Sequence, residues 1–316
     1  MAGALHGRAD PERIELTDKP IAVAGATGRL GGLIIRELRD RDAAVRAIVR
    51  PTADKTSVST LAQAGAEVVV ASYEDPVQLR RACQGAACVV SALSGLRDTI
   101  IDAQSALLDA AVANKVPRFI PSDFAIDFYK MPPGGNRNLD LRREFSRRLD
   151  AAPIRATSVL NGMFMDLLAG QAPFILKKFH RVVYWGSAEQ RMDFTTIEDT
   201  AAFTAAAALD STTPRFLRIA GEVASARDLV RIAQDVGGES FRLFRAGPLS
   251  RFNKIIAFAK FVAPGRDEVY PPWQGMQYMR DMFDGRAKLE PLDHERYPEL
   301  QWTPIESVLR VNAGAG

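Results

Sequence analysis

The sequence predicts an α/β protein built on a doubly wound parallel sheet, and three observations lead to this prediction. Short apolar runs alternate with helical patterns through the first half of the 316 residues. The runs are continuously apolar, which is typical of strands that helices bury on both faces. The first run ends in a glycine-rich turn before a helix. The second half is less regular and predicts a smaller C-terminal α+β lobe.

Six strands are expected in the first half, at 20–24, 44–49, 67–71, 87–91, 118–120 and 154–160. The expected helices are 30–39, 55–64, 76–82, one from an N-cap at Asp98 to Asn114, and a basic helix at 139–149. Further on, Thr196 and Ser225 each stand three residues before an aspartate, a capping signature that predicts two more helices. We expect a loose extension at 1–19, the main α/β domain at 20–160, and the smaller lobe at 161–316, with some of its segments returning to the main sheet.

Composition narrows the class of protein. The 41 basic and 38 acidic residues give a net charge of +3, which makes no general case for nucleic acid or an anionic membrane as a partner. No apolar run is long enough to predict a transmembrane helix, and the N-terminus lacks the apolar core of a signal peptide. We therefore expect a cytoplasmic protein.

The metal-ligating residue types are few. The two cysteines, Cys83 and Cys88, fall near a predicted helix end and strand start, and are expected to be reduced and buried. The three histidines are far apart in the sequence, and no spacing suggests zinc. We therefore expect no metal site.

A glycine-rich segment, VAGATGRLGG at 23–32, joins the first strand to the first helix. Gly25 permits the tight turn, and Gly28 lets a pyrophosphate approach the backbone. Gly31 lets the helix pack closely on the strand. The helix N-terminus offers amide donors to phosphate. The segment thus predicts a Rossmann-type dinucleotide site, and the alternative is an ordinary turn with left-handed glycines. The other loop residues expected at the cofactor are Thr27, Arg29 and Leu30.

The residue that ends the second strand indicates which dinucleotide binds. Many NAD enzymes have an acid there for the ribose hydroxyls, whereas this chain has Arg50. A guanidinium fork suits a 2′-phosphate, so NADP(H) is predicted, with Lys55 and Arg29 nearby. The alternative is a solvated arginine at the strand end. After strand four, Ser94 and Gly95 are small enough to admit the nicotinamide end.

Three segments together resemble a known family. They are GATGRLG at 25–31, RFIPSDFAIDF at 118–128, and the stretch 154–164 that ends in NGMF. In order and spacing they resemble the atypical short-chain dehydrogenase/reductases of the NmrA-like and isoflavone reductase-like group, over about residues 20–240. The resemblance implies an NADP-binding domain, a smaller substrate lobe, and either reductase activity or redox sensing.

The resemblance also exposes a departure from the family pattern. The family's enzymes place a lysine on the helix after the P-S-[DE]-F loop, where it serves as acid or base and contacts the nicotinamide ribose. The matching position here is Arg142, or Arg143 if the register slips. The Tyr-x-x-x-Lys pair is absent as well, since Tyr129 is followed four residues later by Pro133. Arginine transfers protons poorly but can hold a carboxylate or stabilise an oxyanion. The alternative for Arg142 is a surface charge on a solvated basic helix.

Further candidates follow strands five and six, at the edge that faces the ligand crevice in such sheets. Ser122 can hydrogen-bond a substrate oxygen, and Lys130 is a lysine near the expected place of a proton donor. Ser122 and Asn161 are also expected to contact the cofactor. The residues expected at the substrate are Asp123, Phe124, Tyr129, Met163, Phe164 and Trp273. For all of these, the alternative is a structural role in the loop or the core.

Two functions stay open on this basis. One is an NADPH-dependent reductase of a small apolar carbonyl, enone or quinone-type substrate. The other is a regulator that binds NADP(H) and passes its redox state to a protein partner, which the missing lysine favours.

Overall fold

The computed structural model describes residues 19–169 and 174–313, so the expected N-terminal extension lies outside the described residues except for Lys19. The main sheet contains β1 (Ile21–Ala24), β2 (Val45–Val49), β3 (Glu67–Val70), β4 (Cys88–Ser91), β5 (Arg118–Ile120) and β6 (Arg155–Ala156). All are parallel, in the order β3-β2-β1-β4-β5-β6. This order reverses direction between β1 and β4, which confirms the predicted doubly wound sheet.

Helices bury both faces of this sheet. One face is covered by α1 (Arg29–Arg39), α2 (Lys55–Gln63) and α6 (Ile197–Leu209), and the other by α3 (Pro76–Cys83), α4 (Gln104–Ala113) and α5 (Arg137–Ala151). In β1, Ile21 and Val23 enter the first layer while Ala22 and Ala24 enter the second. Successive side chains point to opposite faces, so a strand buried on both faces must be apolar throughout.

Two boundaries differ from the predictions. Asp98 is not an N-cap: it is the first residue of a π-helical turn, Asp98–Ala103, which leads directly into α4 without a side-chain cap. The sixth strand is not one run, because the chain changes partner at Thr157. Before that residue β6 pairs with β5, and after it β7 (Ser158–Leu160) pairs in parallel with β12 (Phe216–Arg218).

The rest of the described chain forms small sheets and helices. Its strands are β8 (Met163–Phe164), β9 (Ile175–Leu176), β10 (Arg181–Trp185), β11 (Met192–Thr195), β13 (Glu222–Ala224) and β14 (Arg242–Gly247). They form the sheets β14-β10-β9 and β13-β11-β8. The helices are α7 (Ala226–Gly237), α8 (Leu249–Val262), α9 (Pro272–Asp284) and α10 (Ile305–Ala313). The expected domain boundary near 161 stays a prediction.

Local sequence signals account for several element ends. The Thr196 hydroxyl accepts the Asp199 amide at the start of α6, and Ser225 and Asp228 form a reciprocal capping box at α7, so both capping predictions are confirmed. Cys83 and Cys88 are free and buried, and burial raises their thiol pKa values to about 12 and about 11. Within the described ranges, no helix is long and apolar enough to cross a membrane.

The start of α1 packs closely on the turn that precedes it. A Cβ added at Gly31 would overlap the Gly25 carbonyl oxygen, which is backbone and cannot swing away. A Cβ at the adjacent Gly32 would lie 3.5 Å from the Ala26 carbonyl oxygen, an ordinary contact. The packing therefore has no room for a side chain at Gly31, whereas it has room for a methyl group at Gly32.

We expect Gly31→Ala to lower the free energy of unfolding by about 1–3 kcal/mol, because the new methyl group forces helix and turn apart. Gly32→Ala is the matched control and should be neutral or stabilising by up to ~1 kcal/mol, since alanine favours the helix. Urea unfolding of both variants checks this. Equal stability of the two would contradict the packing described.

Candidate functional site

The glycine loop presents an open cradle at the carboxyl end of β1. Gly25 has a φ of 77°, and a Cβ on it would lie 2.6 Å from the Ala92 carbonyl oxygen, so only glycine fits there. Gly28 caps α1 without a side chain, and Thr27, Gly28 and Arg29 are exposed. The first amides of a helix lack partners within it and carry partial positive charge. The loop can therefore receive an anionic group.

The ends of β2 and β3 add side chains beside this cradle. Arg50 follows β2 directly and is exposed, and Lys55 is exposed at the start of α2. Tyr73, after β3, was not singled out in the sequence. Burial raises the pKa of Tyr73 to about 12, although Arg50 and the Gly25 amide act to lower it. The phenol therefore lies beside Arg50 and the glycine loop. The position of Tyr73 after the neighbouring strand is the signal that could have identified it.

Arg29 has two carboxylate partners. Its guanidinium lies 2.6 Å from Asp166 and 3.0 Å from Glu198, so it ties the start of α1 to the segment after β8 and to α6. Any contact between Arg29 and a phosphate has to compete with these two ion pairs.

The chain after β4 meets the end of β5. The Ser122 hydroxyl donates to the Leu93 carbonyl at 2.5 Å, and the Ser122 amide donates to the Gln104 side chain at 2.9 Å. Gly95 packs so closely on Thr99 that a Cβ there would overlap its side chain. These contacts fix the loop that carries Ser94, whose exposed side chain stays at the crevice.

Asn161 follows β7 and is fully buried. Its backbone is satisfied, since its amide donates to the Ala125 carbonyl and its carbonyl accepts from the Thr195 hydroxyl. Neither its side-chain nitrogen nor its side-chain oxygen has a hydrogen-bond partner among the described residues. A buried amide with both ends unused costs free energy and therefore indicates a ligand group.

Arg142 is buried on α5, with 7% of its surface exposed. It lies on the inward face of the helix with Asn138 and Phe145, so the prediction of a solvated basic face is wrong for Arg142, although Arg147 and Arg148 are exposed. One of its terminal nitrogens donates to the Asn138 carbonyl at 3.2 Å, while its Nε has no partner among the described residues. The guanidinium thus keeps an unused donor.

Phenols and one carboxylate surround this guanidinium. Burial acts to lower the pKa of Arg142, but Tyr278, Tyr270 and Asp123 outweigh it and raise the pKa above its ordinary value. The Tyr270 hydroxyl also lies 3.4 Å from the Ser94 hydroxyl oxygen. Tyr270 belongs to no motif, and only the folded chain brings it to the end of β4. Arg142 stays charged in this setting.

The side chains of Lys130 and Tyr129 are bonded to other residues of the protein. The Lys130 ammonium donates to the Lys288 carbonyl at 2.7 Å and lies 3.7 Å from Asp127. The Tyr129 hydroxyl donates to Ser146 at 2.7 Å and accepts from Arg215 at 3.4 Å. Both side chains therefore have structural partners.

Asp123 belongs to the same internal network as Tyr129. One carboxylate oxygen accepts from the Ser158 hydroxyl at 2.5 Å, and the other has no partner among the described residues. Burial raises the pKa of Asp123, although Ser158, Arg142 and Arg215 oppose the rise. Asp123 thus belongs to the charge environment of the Arg142 guanidinium.

The apolar candidates separate into two groups. Phe124 and Phe164 belong to the apolar cluster on the face of the main sheet that α1 covers. Met163 belongs to the cluster of the C-terminal part. Trp273 is buried, donates its indole N–H to the Pro264 carbonyl, and has Arg137 4.8 Å from its ring centre. That arrangement supports a structural role for Trp273.

A separate cavity of about 110 Å³ opens between α5, α8 and α9, and no residue of the glycine loop lines it. Its charged side chains form ion pairs with one another, such as Arg143 with Asp140 and Arg280 with Asp281, both at 2.6 Å. It therefore offers no unpaired charge to a ligand.

The unused amide of Asn161 leads to a stability prediction. Asn161→Leu should raise the free energy of unfolding by about 1 kcal/mol, because it removes two buried unsatisfied groups and keeps the branched shape of the side chain. The control is Asn138→Leu, since Asn138 is equally buried but bonded to Val269 and Arg137. That control should lose ~1–3 kcal/mol. Destabilisation of both variants to the same extent, in thermal unfolding without ligand, would argue that the Asn161 amide is satisfied.

The chain can now be compared with known proteins. It is 30% identical to pinoresinol reductase 1 of Arabidopsis thaliana over 199 residues, which are 58% of this chain and 63% of that protein. The match thus spans less than two thirds of that relative's length. Among solved structures, AtPrR2 with NADP⁺ and (+)pinoresinol superposes with a TM-score of 0.77 at 20% identity, covering 93% of this chain and 98% of that one.

A third match is the NADPH-dependent quinone oxidoreductase QOR2 of Escherichia coli in complex with NADPH. It has a TM-score of 0.70 at 21% identity and covers 92% of this chain and 99% of that one. At such identities the two structures show a shared fold. The model of the NmrA-like family matches residues 17–302, which is most of the chain. The chain therefore belongs to the NmrA-like family.

Proposed function

We propose that this protein is an NADPH-dependent reductase of a small apolar carbonyl, enone or quinone-type substrate. The observation that carries the proposal is the buried Arg142 guanidinium with its unused Nε. The resemblance puts the catalytic lysine of the family's enzymes at Arg142, or at Arg143 if the register slips, and of these two Arg142 is the buried one. A fixed buried cation at that place suits an oxygen that becomes negative during reduction.

The described residues fit NADP(H). The pyrophosphate suits the cradle at Gly25 and Gly28, where no side chain intrudes and the first amides of α1 are free of side-chain caps. Arg50, exposed at the end of β2, suits the 2′-phosphate. The unused amide of Asn161 suits the carboxamide, because each group has an NH2 that donates and an oxygen that accepts. AtPrR2 and QOR2, which share this fold, are named with NADP⁺ and NADPH.

NADPH, when bound, supplies a hydride. The residues of the protein bind and orient the reactants and stabilise the charge that develops. Arg142 stabilises the negative charge that develops on the substrate oxygen, and its charge costs no reorganisation because the side chain is already buried and held. Phe124 and Phe164, which belong to the same apolar cluster as α1, would offer apolar surface that excludes water. This environment favours an uncharged, partly aromatic substrate.

Of the three candidates for the chemistry, Arg142 is the one that keeps an unused donor. The Ser122 hydroxyl is bonded to Leu93, which supports a structural role. The Lys130 ammonium is bonded to Lys288. In this proposal the family's lysine is absent, and no other lysine replaces it.

We expect Arg50→Ala to weaken NADPH binding by about 10- to 100-fold, the value of a lost charge-assisted contact to phosphate. Binding of NADH, which has no 2′-phosphate, should be unchanged. The matched control is Arg147→Ala, since Arg147 is exposed on α5. Nicotinamide fluorescence measures the dissociation constants of NADPH and NADH for the wild type and for both variants. An equal loss for both cofactors would contradict the role of Arg50.

We expect Arg142→Met to lower kcat by ~10²-fold or more, because a charged oxygen loses its partner in the transition state. Arg142→Lys should retain more activity, since it keeps the cation. The assay is NADPH oxidation with a panel of small quinones, enones and aromatic ketones. Absence of turnover by the wild type across the panel, with NADPH bound, would instead favour the redox-sensing regulator.

A further inference from the structure

The reductase proposed above needs a proton as well as a hydride, and Arg142 is a poor source of one. A proton donor must reach the substrate oxygen and must be re-protonated from solvent. Among the described residues around Arg142, Tyr270 combines proximity to this cation with exposure to solvent. Its side chain is 60% exposed, and its hydroxyl lies 3.4 Å from that of Ser94, beside the end of β4.

The helix that carries Arg142 also holds Tyr270 in place. Asn138 donates from its side chain to the Val269 carbonyl at 2.9 Å, and Arg137 donates to the same carbonyl and to that of Glu268. Tyr270 is the next residue in the chain. Two residues in the first turn of α5 therefore fix the backbone of Tyr270, and Arg142 follows one turn later on the same helix.

The Tyr270 hydroxyl also faces the guanidinium, since it is one of the groups that raise the pKa of Arg142. A phenolate formed here by proton transfer to a substrate would lie beside this fixed positive charge. The same cation faces the substrate oxygen in the proposed function.

We propose that Tyr270 is the catalytic proton donor of this protein, held between Ser94 and Arg142, an inference that rests on the proposed reductase function. When a hydride reaches the substrate carbon, a C–H bond forms and the electron pair of the C=O π bond moves to oxygen. The oxygen takes the proton of Tyr270, so that O–H bond breaks and a phenolate remains beside Arg142. Water then re-protonates the exposed phenolate. The substrate gains two electrons and NADPH becomes NADP⁺.

The second phenol near Arg142 provides a matched control. Tyr278 lies on α9, and burial raises its pKa to about 12, although Arg142 opposes the rise. It is also hydrogen-bonded to Asn138. Tyr278 therefore keeps its proton at neutral pH and supports the helix, whereas Tyr270 faces solvent and the end of β4.

The experiment compares Tyr270→Phe, Tyr278→Phe and the wild type in the full chain. First, nicotinamide fluorescence measures the dissociation constant for NADPH. Then kcat and KM are measured from pH 5 to 10 with 1,4-naphthoquinone and with any carbonyl compound of the panel that the wild type reduces. Solvent deuterium isotope effects are measured on kcat under the same conditions.

Tyr270→Phe should bind NADPH within about twofold of the wild type, because its side chain does not form the cradle. Its kcat should fall by ~10²- to 10⁴-fold with a much smaller change in KM. Tyr278→Phe removes a second phenol beside Arg142 but leaves the proton donor in place, so its kcat should fall far less than that of Tyr270→Phe. The solvent isotope effect on kcat should change in Tyr270→Phe alone.

Two outcomes overturn the role of Tyr270: a kcat within about threefold of the wild type in Tyr270→Phe, or equal losses in both phenylalanine variants. The second would mean that the phenols act only by placing Arg142. A wild type that binds NADPH but reduces no substrate refutes the reductase function itself, and the role of Tyr270 with it.

Discussion

The close approach of the glycine loop to the end of β4 is the contact on which the rest of the site depends. Gly25 lies so near the Ala92 carbonyl, and Gly31 so near Gly25, that any side chain would separate the loop from its neighbours. The contact falls between β1 and β4, where the strand order reverses and the sheet opens a crevice. This backbone contact holds the first amides of α1 beside the loop after β4 that carries Ser94, and in the proposed function Asn161 completes the cofactor site.

A buried cation is the second constraint. Removing a guanidinium from water is costly unless nearby groups compensate for it. Here Asp123, the phenols of Tyr270 and Tyr278, and the Asn138 carbonyl provide that compensation. Asp123 is in turn held by Ser158. The network keeps Arg142 charged and leaves its Nε without a partner among the described residues, so in the proposed function this buried charge is available to a substrate oxygen.

Local patterns predicted the strands and most helices because they depend on neighbours in the sequence. Strand ranges, the capping residues Thr196 and Ser225, and the glycine loop belong to this group. The break at Thr157 could not be predicted, since it depends on β12, about 60 residues further on. The π-helical turn before α4 lacks a sequence signal of its own.

The site was predicted only in part, for the same reason. The glycines, Arg50 and Asn161 follow strand ends, where the sheet itself determines the direction of the chain. The burial of Arg142 depends on tertiary partners, so its pattern of flanking charges suggested a solvated face. Tyr270 comes from a segment more than 120 residues beyond Arg142, held by Arg137 and Asn138. Such contacts leave no periodic trace in the sequence.

The most direct test of the account is a crystal structure of the protein with NADP⁺. The account predicts the pyrophosphate on the α1 amides, the 2′-phosphate on Arg50, the carboxamide on Asn161, and the exposed face of the nicotinamide toward Arg142 and Tyr270. A cofactor bound away from the glycine loop would contradict it. So would a nicotinamide that leaves the Asn161 amide unpaired and faces away from Arg142.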